Sequence, residues 1–225
     1  MEIYCVKLPS YTDNSRMQSL LYKLPLSKQQ KIMKFVRKED ALRALTSEIL
    51  SRSVICDRLK VKNSDIEFCY NDYGKPFLKK FDGLQFNNSH SGDWVVCAID
   101  TLPIGIDVEK ISAIDFDIAG HFFSKQECRD LFDKEDERRL GYFFDLWTLK
   151  ESYIKAAGKG LSIPLDSFTI RVTNKGVTLE TQNEFKNCFL KQYEIDVGYR
   201  MAVCAMHNCF CDNVILRDFY STFLG

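Results

Sequence analysis

Gly105-Ile106-Asp107-Val108-Glu109-Lys110 is the stretch on which the reading of this chain turns. Ile104, Ile106 and Val108 are apolar and β-branched, and they alternate with Gly105, Asp107 and Glu109 in the period-two pattern of a half-buried strand. Residues two apart on a strand share a face at roughly 7 Å, so the two carboxylates stand side by side. Like charges on one face repel. A divalent cation removes the repulsion, and hard oxygen ligands suit Mg²⁺ or Mn²⁺. A D-x-E pair also occurs on solvated strand edges, so the stretch alone leaves both readings open.

Some forty residues on, Trp147-Thr148-Leu149-Lys150-Glu151-Ser152-Tyr153-Ile154-Lys155-Ala156-Ala157-Gly158-Lys159-Gly160 reads as a helix closed by a glycine. Leu146, Leu149, Tyr153 and Ala157 recur at helical spacing, and Gly158 fits the position just past the end. Glu151 and Lys155 lie four apart and share a face. Such a pair is often a surface salt bridge worth a few tenths of a kcal/mol. Lys150 and Lys159 add further positive charge around the single carboxylate, which suits a metal-bound polyphosphate better than a plain surface.

The chain has 225 residues, with 31 basic and 31 acidic side chains that cancel, so no global field favours nucleic acid. Any functional basic character must be local. The first residues, Met1 to Val6, show neither a charged leader nor a long apolar core, and no signal peptide is expected. No apolar run is long enough to span a bilayer. The nine cysteines sit mainly within apolar runs and read as reduced core residues of a cytoplasmic protein. His207-Asn208-Cys209-Phe210-Cys211 lacks the spacing of a usual zinc site, and no second ligand pair follows.

In the first half, Ser27 with Gln30 makes a capping-box start for a helix carrying Lys28 and Lys31 on one face. A longer helical pattern runs from about Glu39 to Leu59 and carries Arg43, Glu48 and Arg52. Ile66 to Tyr70 alternates as a strand and leads into the turn Asn71-Asp72-Tyr73-Gly74-Lys75-Pro76. Phe86-Asn87-Asn88-Ser89-His90-Ser91-Gly92 reads as a polar turn before the strand Trp94 to Ile99. There Ser89 and His90 are placed to donate to phosphate oxygens. Thr101-Leu102-Pro103 links the halves.

In the second half, Ser124-Lys125-Gln126-Glu127 is another capping box. Asp133 to Arg139 is a solvated loop or helix edge. Strands are expected at Phe168–Val172, Gly176–Glu180, Phe189–Ile195 and Arg200–Ala205. Val96-Cys97-Ala98 and Val203-Cys204-Ala205 echo each other, one in each half.

Together, G-I-D-V-E and W-T-L-K-E-S-Y-I-K-A resemble the motifs of the 4′-phosphopantetheinyl transferases of the long, surfactin-synthetase-activating type. Tyr73 to Pro76, Phe86 to Ser91, Phe122-Phe123-Ser124 and Gly160 to Phe168 are similar to that family in the same order, so the resemblance covers about Lys28 to Ala205. It implies an α+β fold of two similar α/β subdomains related by a pseudo-twofold axis, residues 1–104 and 105–225, with the active site in the cleft between them. The implied reaction moves 4′-phosphopantetheine from coenzyme A to a serine hydroxyl of an acyl or peptidyl carrier protein and releases adenosine 3′,5′-bisphosphate.

The same resemblance implies that Asp107, Glu109 and Glu151 ligate Mg²⁺ and that Lys155 reaches the pyrophosphate, with Lys150 beside it. Glu151 is a metal ligand, the base for the serine proton, or each in turn. Lys28, Lys31 and His90, with Arg43 as a weaker candidate, go to the 3′-phosphate, Ser89 is a further coenzyme contact, and Tyr73, Gly74, Lys75 and Pro76 flank the adenine. Ala44 stands where some relatives carry a hydroxyl for the 3′-phosphate. The carrier is expected to dock near residues 111–127, where Ile114, Phe116, Ile118, Phe122 and Phe123 supply apolar area, only a minority of it exposed. The duplicated type implies a monomer. A metal-dependent phosphodiesterase and a nucleotide-binding accessory module are the rival readings, and release of adenosine bisphosphate only in the presence of apo-carrier separates the three.

Overall fold

The fold is that of a computed structural model and is described for residues 1–10, 13–174 and 176–220. The first half runs β1 (Glu2–Lys7), α1 (Asn14–Leu21), α2 (Leu26–Ile32), α3 (Lys38–Leu59), β2 (Phe68–Tyr70), β3 (Pro76–Leu78), β4 (Gln85–Ser91) and β5 (Trp94–Asp100). The second runs β6 (Ile104–Lys110), α4 (Ala119–Phe122), α5 (Lys125–Phe132), α6 (Asp136–Ala157), β7 (Thr169–Thr173), β8 (Gly176–Glu180), β9 (Phe189–Tyr193), β10 (Tyr199–Ala205) and β11 (Ile215–Arg217).

Alternation along the central strands builds four layers. On one face of the sheet β11-β1-β5-β4, Tyr4, Val6, Val95, Cys97 and Ile99 pack against Leu45, Ile49 and Val54 of α3. On the other face, Ile3, Cys5, Trp94, Val96 and Ala98 meet Ile104, Ile106, Val108, Met201 and Val203 of the sheet β6-β10-β9. The outer face of that second sheet, through Ala202 and Cys204, packs against Leu149 and Tyr153 of α6. The order is helix, sheet, sheet, helix. Strands buried on both faces read as near-continuous apolar runs, which is why β5 and β10 show so little polar alternation.

The halves match in construction. α3 and α6 are both 22 residues long and each backs an antiparallel strand carrying Val-Cys-Ala. β11, from the end of the described chain, returns to pair in parallel with β1.

Three local expectations are corrected. The helix bearing Lys28 begins at Leu26 with Pro25 at its cap, and no side chain caps it. The Pro25 carbonyl accepts from the amides of Lys28 and Gln29, so the first turn closes before Ser27 could serve as cap. The stretch Phe86 to Ser91 is a strand, β4, whose ladder with β5 sets Ser89 opposite Val96 and His90 opposite Val95. The second long helix starts at Asp136, eleven residues early, because Tyr142, Phe143 and Phe144 also face the core. Its exposed acidic first turn suits the helix dipole. The capping box at Ser124 and Glu127 forms, and Gly158 ends α6 at φ 71°.

Candidate active site in the cleft between the halves

β4 and β6 are edge strands of different sheets, and they lie alongside each other joined by side chains in place of a backbone ladder. Asn87 Oδ1 accepts from the Ile106 amide at 2.9 Å, Ser89 Oγ donates to Asp107 Oδ1 at 2.8 Å, and Ser91 Oγ donates to Glu109 Oε2 at 2.7 Å. Ser91 Oγ also accepts from the Lys110 amide at 3.1 Å. Asn87 and Ser91 do not stand out in the sequence, because every residue from 87 to 91 is polar and no alternation marks the inward face.

α6 crosses this seam. Gly105 is what lets it approach: a Cβ there would overlap the Ser152 carbonyl and the Ala156 amide. The close crossing brings Lys155 Nζ to 2.5 Å from Asp107 Oδ1 and 3.2 Å from Ser89 Oγ. Asp107 is buried, and its second oxygen, Oδ2, has no hydrogen-bond partner.

The electrostatics fit a cation site. Burial and the neighbouring Asp107 charge push Glu109 up to about 7, with Glu151 adding to the effect. Burial also raises Glu151, Asp107 adds to it, and Lys155 works against it. Three carboxylates crowded around one ammonium, with one buried oxygen unpartnered, are a hard-oxygen donor set suited to Mg²⁺ or Mn²⁺. Among the described residues they are not gathered at ligating distance, and Lys155 stands among them as counter-charge.

Lys28 and Lys31 share a face as expected, both lying over the Tyr70 ring, at 5.5 and 5.7 Å. Lys28 is also paired with Glu48 at 2.7 Å, and Glu48 in turn holds Arg52 at 2.8 Å. Burial works against the charge on Lys28, and Glu48 outweighs it, holding its pKa above the ordinary lysine value. Ala44 packs against the first core. His90 opens to solvent at the cleft, yet the protein around it desolvates the ring. With Arg43 and Lys155 nearby, its pKa falls below the ordinary histidine value. Arg43 donates to the Gly92 carbonyl at 3.0 Å and pairs with Asp40 at 2.5 Å.

Two lysines are corrected. Lys75 turns inward, donating to the carbonyls of Ile104 at 3.2 Å and Ala156 at 3.0 Å, so only the backbone of its turn is left to flank a ligand. Asn71 shapes that turn, accepting from the amides of Tyr73 and Lys75, while its own amide group donates to the Gly158 carbonyl at 2.7 Å. Gly74 takes φ 84° there, and Tyr73 is exposed. Lys150, expected beside the phosphates, is fully buried against Glu127 on the far side of the helix. A residue adjacent to Glu151 points about 100° away around the helix axis. In the segment 111–127, Phe123 is buried, while Ile114, Phe116, Ile118 and Phe122 are partly covered by the second core; the exposed side chains include Asp115, Asp117, His121 and Lys125.

Two family profiles divide the chain between them: "4′-phosphopantetheinyl transferase, N-terminal" over residues 10–102 and "4′-phosphopantetheinyl transferase superfamily" over residues 103–204. The chain belongs to the 4′-phosphopantetheinyl transferases. It is an Sfp-like member, an enzyme that transfers phosphopantetheine from coenzyme A to a carrier protein. It is 44% identical over 218 residues to the 4′-phosphopantetheinyl transferase Sfp of Bacillus subtilis (strain 168), covering 96% of each chain. To the 4′-phosphopantetheinyl transferase gsp of Aneurinibacillus migulanus it is 40% identical over 206 residues, covering 92% of this chain and 86% of that one. A holo-(acyl-carrier-protein) synthase from Bacillus anthracis str. Ames, solved in complex with CoA (3′,5′-ADP), aligns with 46% of this chain and 93% of its own at 19% identity and a TM-score of 0.41. Among the described residues no helix is long and apolar enough to cross a membrane.

Proposed function

We propose that the seam between β4 and β6 is where transfer takes place, and that Asp107, Glu109 and Glu151 hold Mg²⁺, or Mn²⁺, there. The observation that carries this is the buried, unpartnered Oδ2 of Asp107 amid carboxylates whose charge Lys155 alone does not balance. A divalent ion supplies charge neutralisation at the pyrophosphate. The chain's own residues do the rest.

Lys28, Lys31 and His90, with Arg43 behind them, bind the 3′-phosphate of coenzyme A, and the Tyr73–Pro76 backbone flanks its adenine. Lys155 and Ser89 hold the pyrophosphate. The carrier's serine oxygen forms a bond to the β-phosphorus while the bond from that phosphorus to the bridging oxygen breaks, and adenosine 3′,5′-bisphosphate leaves with the electron pair. Glu151, when it does not hold the ion, accepts the serine proton. Charge grows on the departing phosphate, where the Lys155 ammonium offsets it.

The carrier docks on residues 111–127 through their exposed polar side chains, the aromatic residues beneath acting as support. Two subdomains, 1–104 and 105–225, act as one cytoplasmic monomer. Mass spectrometry of an apo-carrier incubated with coenzyme A and this chain, with Mg²⁺ or with chelator, tests the reading. Phosphopantetheine addition only with the divalent ion is expected, and equal addition in chelator overturns the metal assignment.

A further inference from the structure

Lys150 and Glu127 have no exposed side-chain surface at all. Lys150 Nζ donates to Glu127 Oε1 at 2.8 Å, to the Leu165 carbonyl at 2.7 Å and to the Phe168 carbonyl at 2.9 Å, and it lies 4.0 Å from the centre of the Phe168 ring. The three acceptors match the three N–H donors of an ammonium. Glu127 Oε1 also accepts from the Ile170 amide at 2.7 Å, and Oε2 from the Ser124 amide at 2.7 Å. The pair therefore ties α6 to the start of α5, to the 165–168 turn and to β7.

Stability does not account for this arrangement, because a buried ion pair is commonly no better than an apolar pair of the same volume. Its distinctive property is direction. Lys150 precedes Glu151 by one residue and Lys155 by five, so whatever fixes the rotation of α6 at Lys150 fixes where both of them point. On the opposite side the α6 backbone at Ser152 and Ala156 lies against Gly105, too close for any Cβ there. Asp145 with Arg200 and Gln192, and Tyr153 with Phe185, also tie α6; Lys150 is the fully buried tie next to Glu151.

We infer that Glu127 and Lys150 are positioning residues for the transfer, holding α6 at the rotation that aims Glu151 and Lys155 at Asp107. This rests on the roles proposed above for Glu151 and Lys155. Neither member of the pair touches coenzyme or carrier.

The test compares Lys150→Met, Glu127→Gln and the double variant, at a temperature where circular dichroism shows each folded. Each single variant should lower kcat by roughly 10- to 100-fold, the scale of a small misplacement of reacting groups. KM for coenzyme A should stay within about twofold, since the 3′-phosphate residues lie in the other half. The double variant removes the unpaired buried charge, so it should regain melting temperature while kcat stays low, and it supplies folded protein if a single variant does not fold. Recovery of kcat together with stability would make the pair merely structural and overturn the inference. In a Lys155→Ala background, Lys150→Met should cause a smaller further loss than in the wild type, the part that acts through Glu151. If Lys155→Ala alone leaves kcat unchanged, the catalytic reading fails. If Lys155→Ala lowers kcat and Lys150→Met does not, only the positioning role fails.

Discussion

Lys155 on α6 and Asp107 on β6 form an ion pair of 2.5 Å in the second half, and Ser89 of β4, across the cleft, bonds to both. Three elements from the two halves converge on one carboxylate, whose other oxygen is buried without a partner.

Asp107→Ala should lower transfer by at least about 10²-fold, the scale of losing one electrostatic stabiliser. The melting temperature should change little, because Lys155 keeps Ser89 and nearby carboxylates as partners. Turnover with Mg²⁺ and a thermal melt check this together. Near-normal turnover would remove Asp107 from the site.

Lys155→Ala should act on kcat more than on KM, by roughly 10²–10³-fold if it resembles one lost oxyanion donor. Lys155→Arg keeps the charge and loses the compact ammonium, so it should recover only part of the rate. Steady-state transfer across coenzyme A concentrations separates the two constants. A change in KM alone would make Lys155 a binding contact.

The double variant Lys28→Ala/Lys31→Ala should raise KM for coenzyme A and change that for dephospho-coenzyme A much less. Glu48 would then keep Arg52 as its partner, so the fold should persist. Equal losses for both substrates would place the two lysines away from the 3′-phosphate.

His90 is held below the ordinary histidine pKa by desolvation, Arg43 and Lys155. A bound phosphate dianion favours the charged ring and raises that pKa. Coenzyme A binding near pH 6 to 7 should therefore take up protons, and His90→Gln should abolish the uptake. Calorimetry in buffers of different ionisation enthalpy reads it; no buffer dependence in the wild type would count against the contact.

Burial lowers the Lys75 ammonium from 10.5 to about 8. Between those values the unfolded chain binds the proton and the folded one does not, so stability rises with pH across that window. Below it the ammonium is present in both states, and the full penalty of burying it applies. Wild type should thus gain stability relative to Lys75→Met between about pH 8 and pH 10. Urea midpoints follow the difference, and parallel curves would show that Lys75 keeps an ordinary pKa.

Much of this was legible in the sequence because it is local. Alternation from Ile104 to Lys110 marked β6, and the glycine at position 158 marked the end of α6. The motifs named the family before any contact was known. At β4 the local signal misled because of a neighbour in space. Asn87 to Ser91 looks like a turn by composition, yet its polar groups face the edge of a second sheet and it forms a strand.

By itself the sequence determined the order of elements, the family and the carboxylates and lysines available for chemistry, since these depend on residue type and near neighbours along the chain. Only the tertiary structure decided which lysines are free to act. Lys75, Lys150 and Lys155 are alike in a one-dimensional reading. A lysine reaches several ångströms from its backbone, and where its ammonium settles depends on which acceptors packing brings within reach. For Lys75 these are two backbone carbonyls, for Lys150 the buried Glu127, and for Lys155 the open seam at Asp107.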